Sequence, residues 1–277
     1  MKHIAVFLAA AGTVAIPNSA MAQDHGHLNV GAAGTNQNDA LVFDEPEIFE
    51  LASDFVKTLI HTNTGRFAGY FVGNLTVTAL SPTPGHPAYA TNAAAPGSWI
   101  FAELSSVDGP AGGQFAFWEA GAVTPTITLP TGTTGTNTWR LSESDGSSGT
   151  DPYGHIHGRR FTATLPGIYT VGFRALDFSA NGTAGAPIHS ASTELKIHFQ
   201  AGDNIHSVQP EVNQTRVTFV ARAGYNWQVQ AATTLSPPNW SAIGSPVPGD
   251  DHFHEVVDAS PVEGTRMFRV EGAPMVP

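Results

Sequence analysis

Three histidine pairs, each with one residue between its members, stand out in this chain of 277 residues: His25 with His27, His155 with His157, and His252 with His254. Strand side chains alternate from face to face, so each pair, placed on a strand, presents two imidazoles side by side. Neutral imidazole suits zinc and copper. Such an ion takes three or four ligands, with nitrogens at about 2.0–2.1 Å, so one pair is half a site and must meet another. We take His155 and His157, joined by His25 and His27, as candidate metal ligands, with zinc the first choice of ion and copper the second. His252 and His254 follow Gly249-Asp250-Asp251, which reads as a flexible turn, and are left out of the set. His61, His86 and Glu119 carry suitable donors but no spacing that ties them to either pair. The bland reading of every pair is polar positions on exposed strands and turns.

The elements that must position these residues read as β. His155 and His157 lead into a short alternating run, then the turn Pro166-Gly167, then Tyr169, Val171 and Phe173 at strand spacing. Tyr169 near the start of that run resembles the tyrosine corner of immunoglobulin-like sandwiches. A closing strand at 192–200 puts Leu195, Ile197 and Phe199 on one face. His198 then shares the other face with Glu194 and Lys196. Residues 98–104 and 114–119 read as a hairpin about Asp108-Gly109-Pro110, and 124–129 as a further strand. Residues 131–151, dense in Thr, Gly and Ser, read as a long surface loop interrupted at Trp139. Ile48, Leu51, Phe55 and Leu59 recur at helical spacing and predict one short helix over 44–58, or an irregular loop packed on the sheet. Phe117, Phe161, Tyr169, Val171, Phe173, Leu195 and Ile197 form the predicted core.

Composition narrows the class. Charged residues are 13% of the chain, Gly 29 and Pro 20 in number, which fits many turns and few charged helix faces. The net charge is -11, with 12 Lys and Arg against 23 Asp and Glu, which argues against nucleic acid as a partner. There is no cysteine, so neither thiolate chemistry nor disulfides enter. Residues 1–22 read as a secretory signal peptide, with an apolar run at 4–15 and Ala20 and Ala22 at the cleavage positions. No later run is apolar enough to span a membrane. The mature chain is expected outside the cytoplasm, secreted or periplasmic, as an immunoglobulin-like β-sandwich at 23–201 followed by a smaller β module at 205–277. In the smaller module, strands are expected near 216–220, 227–231, 255–257 and 266–270.

Phe71-Val72-Gly73-Asn74, Gly113-Gln114-Phe115-Ala116-Phe117-Trp118 and the histidine pair with its Pro-Gly-Ile-Tyr turn resemble the bacterial surface-anchored β modules of the choice-of-anchor M and actinobacterial surface-anchored repeat families. A sister group is repressed by the zinc uptake regulator. Those proteins open on a histidine-rich segment similar to His25-Gly26-His27 and are often encoded beside zinc or manganese ABC transporters. The resemblance covers roughly 24–201 and implies zinc handling, with a metal transporter or a cell-surface component as partner. Two features depart from the pattern: Arg160 stands where a Trp is usual, and no sorting signal closes the chain. The end of the chain resembles small modules of secreted Verrucomicrobia-type proteins. A fainter similarity is to methanotroph copper-binding surface proteins.

No enzyme motif competes. Gly146-Ser147-Ser148-Gly149 lacks the spacing of a nucleophile elbow, and neither a His-Glu-x-x-His motif nor a phosphate-binding glycine loop occurs. The rival to a metal-binding protein is a carbohydrate-binding or adhesive surface module, with Trp99, Trp118 and Trp139 stacking sugar rings. Convergent histidines favour the first reading, an exposed row of tryptophans the second.

Overall fold

The computed structural model describes residues 27–44, 48–155, 159–260 and 264–275. The expected signal peptide lies outside the described residues, as do His25 and His157. The fold is all-β, its sheets arranged as a sandwich. Contacts divide the described residues into two compact units: those up to Ser53 with Leu59–Ala201, and Asp54–Thr58 with those from Gly202 onward.

The first unit holds strands β1 (His27–Ala32), β2 (Leu41–Asp44), β3 (Val56–His61, which begins in the second unit), β4 (Phe71–Gly73), β5 (Thr76–Ala79), β6 (Ile100–Asp108) and β7 (Gln114–Trp118). It continues with β8 (Ile127–Pro130), β9 (Thr133–Arg140), β10 (Gly154–His155), β11 (Arg160–Ala163), β12 (Gly167–Asp177) and β13 (Leu195–Ala201). They form a four-stranded sheet, β10-β5-β1-β2, and a nine-stranded sheet, β8-β7-β11-β4-β3-β13-β12-β6-β9. The two halves of the larger sheet face each other over an aromatic core. Phe117 stacks on Trp139 at 4.4 Å, Phe115 meets Phe199 at 4.9 Å, and Phe161 meets Phe173 edge-on at 5.8 Å. Period-two alternation carries this: on β12 Tyr169, Val171 and Phe173 are buried while Arg174 is exposed. The hydroxyl of Tyr169 donates to the carbonyl of Leu165 at 2.9 Å, tying the strand start to the turn before it.

Several expectations need correction. Residues 44–58 contain no α-helix among those described, only a 3-10 turn at Leu51–Ser53 before β3 begins. Of the spaced residues Ile48 and Leu51 are exposed, Phe55 is half-buried and Leu59 is buried on β3, so the helical spacing never had a common apolar face to serve. β6 and β7 do not pair as a hairpin: β6 lies between β12 and β9, and β7 between β8 and β11. The connecting turn instead crosses the ring of Tyr169, to which Cβ atoms at Gly109 and Gly113 would come within 2.8 and 2.7 Å. Residues 133–140 form a strand, with Trp139 in the core. Leu195 is only half-buried, whereas the other six predicted core residues are buried.

The second unit holds β14 (Ile205–Glu211), β15 (Gln214–Ala221), β16 (Tyr225–Ala232), β17 (Ser241–Pro248), β18 (His252–Asp258) and β19 (Met267–Pro274), in sheets β14-β15-β18 and β17-β16-β19. Phe219, Trp227, Val229 and Phe268 anchor its core. The Trp227 indole donates to the Arg222 carbonyl at 2.9 Å. The Arg222 guanidinium pairs with Asp203 at 2.9 Å and lies 4.0 Å over the Tyr225 ring.

Candidate metal centre

Strand β5 is the floor of the centre. β1 pairs with it in parallel, setting His27 opposite Thr76, and β10 pairs on its other edge, setting His155 opposite Thr78. Leu28 and Val30 turn into the core with Val77 and Ala79. His27 and Asn29 therefore share the opposite face with Thr76, Thr78 and His155, because directly paired residues point the same way. Strands on either side of a third lie roughly 10 Å apart, yet the two imidazoles lean in over the short threonine side chains. Their ring centroids are 5.6 Å apart with an interplanar angle of 21°.

Local structure holds β10 in this register. A Cβ on Gly154 would fall 1.7 Å from the Leu141 carbonyl oxygen, so only glycine lets the strand lie this close to that segment. His155 Nδ1 is 2.7 Å from the Thr78 hydroxyl, which orients the ring. Partners of this kind fix metal-binding histidines in orientation.

The spacing fits a shared ion. With nitrogens at about 2.0–2.1 Å from zinc, two imidazoles on one ion have centroids roughly 5–6 Å apart. The rings as placed are nearly parallel, so sharing an ion requires rotation about the Cβ–Cγ bond, a broad torsion for histidine. Among the described residues, no group of three His, Asp or Glu side chains is placed to hold an ion.

The other nominated donors lie elsewhere. Glu119 is paired with Arg159, His86 packs on Tyr153 at 4.2 Å, and His61 meets Phe71 edge-on at 4.9 Å. In the second unit, the turn before His252 is pinned rather than loose: Asp250 and Asp251 each donate from their amides to the Ala221 carbonyl at 2.9 Å. Asp250 accepts from His254 at 2.8 Å. Partial burial raises the Asp250 pKa, but the bonds from His254 and the His252 amide, with the charge of both rings, outweigh it and hold the carboxyl below its usual range.

Sequence reasoning missed His189. It is buried, its Nε2 accepts from the Ala95 amide at 2.9 Å, and its Nδ1 lies 3.0 Å from the Asp39 carbonyl. Those two contacts require a neutral ring protonated at Nδ1, so it serves the fold. Of the tryptophans, Trp118 and Trp139 are core residues and Trp99 is half-buried against Phe101. Comparison of the chain with family models, curated proteins and solved structures finds no match.

Proposed function

We propose that this is an exported metal-binding protein that holds zinc, or copper, through histidines gathered on one face of the four-stranded sheet, in metal scavenging or homeostasis. The observation that carries the reading is the approach of His27 and His155, far apart in sequence, across β5. His25 and His157, which spacing nominates as the further ligands, lie outside the described residues. The ion is cargo in this reading, and no catalytic step is ascribed to it. The family resemblance adds zinc handling, a metal transporter or cell-surface component as partner, and an immunoglobulin-like topology, for which the Tyr169 hydroxyl bond is the supporting feature. Among the described residues no helix is long and apolar enough to cross a membrane.

The test is metal titration of the untagged protein beside a His27→Ala/His155→Ala variant. Binding is expected for the parent and is expected to weaken as pH falls, because protons compete for the neutral imidazole that binds. Equal stoichiometry and affinity in the variant would remove the pair from the site. No binding by the parent at micromolar metal would end the metal reading.

A further inference from the structure

The outer face of the half-sheet β13-β12-β6-β9 carries polar side chains in rows across the strands. One row runs Thr134, Ser106, Gly172, Lys196. A second runs Thr138, Glu103, Arg174. Along the first row opens a groove of about 560 Å³ whose lining includes Ser106, Asp108, Thr134, Arg174, Glu194 and Lys196, and no aromatic or aliphatic side chain. Gly172 at the centre makes the arrangement possible. A Cβ there would lie 2.2 Å from Glu194 Oε1, so its absence lets the carboxylate fold over β12 and accept from the hydroxyls of Ser105 and Ser106 at 2.6 and 2.8 Å.

On the second row lies the carboxyl of Glu103, opposite Arg174. Glu103 is 4% exposed, its nearest cationic partner is Arg174 at 3.9 Å, and it makes no hydrogen bond among the described residues. Burial raises its pKa, only partly offset by Arg174 and reinforced by Glu194. Glu194 is the reverse: burial raises it, but the two serine hydroxyls, Lys196 and Arg174 hold it below the usual range.

We infer that this groove binds a neutral polyhydroxylated ligand, a saccharide. An anion would face Glu194 and Asp108, and a cation would face Arg174 and Lys196. Vicinal sugar hydroxyls both donate and accept, and match carboxylate, guanidinium and hydroxyl groups held close together. The site is independent of the histidine pair and uses none of the tryptophans.

The experiment is titration of the full chain with cellohexaose, xylohexaose, mannohexaose and laminarihexaose, followed by chemical-shift perturbation and calorimetry. Saturable binding of at least one is expected, weakened about tenfold or more by Glu194→Gln and Arg174→Ala, and unchanged by His27→Ala/His155→Ala. Thr134→Trp, at an exposed position, fills the groove without touching the core and should abolish binding while leaving the melting temperature unchanged. No binding of any of the four at about 10 mM, beyond the weak end of the affinity scale, overturns the inference. So does binding that survives Thr134→Trp.

Discussion

Glu103 and Glu194 should answer pH in opposite senses. The pKa of Glu103 is raised on folding, so its contribution is intact in acid and is lost as pH rises from the ordinary glutamate range through the folded value. That of Glu194 is lowered, so its contribution is present above the ordinary range and is lost as pH falls through the folded value. Denaturation at neutral pH should therefore find Glu103→Gln more stable than the parent and Glu194→Gln less stable, with both differences shrinking toward pH 3. Identical pH profiles for the two variants would refute these environments. At this scale the sequence was partly legible. Spacing brought out His27 and His155, because a period of two is a property of any strand. Their meeting across β5, with Thr78 as the orienting partner of His155, depends on strand order, which no local pattern encodes. His189 carried no signal at all, since its partners are the backbone groups of Ala95 and Asp39.

At the scale of elements, β12 and β10 make the sharpest predictions. Phe173 is buried among Phe161, Phe199 and Trp139, so Phe173→Ala should cost about 3–5 kcal/mol in chemical denaturation. A variant that unfolds with the parent would refute the packing. Gly154→Ala should push β10 off the Leu141 carbonyl and part His155 from His27. The expected result is metal affinity reduced about as far as in His155→Ala. The strands of β12 and β13 were readable because clean alternation matches a half-buried sheet. Strands β14 and β17 were not: each lies at a sheet edge and carries proline, Pro210 in β14 and Pro246 and Pro248 in β17, which edges tolerate and interior strands do not. The proposed hairpin failed for a different reason. Asp108-Gly109-Pro110 is a sound turn signal, but a turn fixes a change of direction and leaves open which strands then pair.

For the whole molecule, the absence of cysteine means that reductant should leave thermal unfolding unchanged. Zinc should not. A ligand bound only by the folded state stabilises it by about 2.7 kcal/mol at a hundredfold excess over its Kd, so calorimetry should show a higher melting temperature with zinc, reversed by chelator and absent in His27→Ala/His155→Ala. A melt that zinc leaves in place would count against the histidine site. The order of strands in the small sheet bears also on time. β1 and β10 flank β5, although one opens the described chain and the other follows eight intervening strands. Contacts of such long sequence separation form late, because the closure entropy of the loop between them must be met first. A refolding or partly synthesised chain therefore offers only separate histidine pairs, and tight metal capture should begin with the slowest folding phase of this unit, making the ion a clock for its completion.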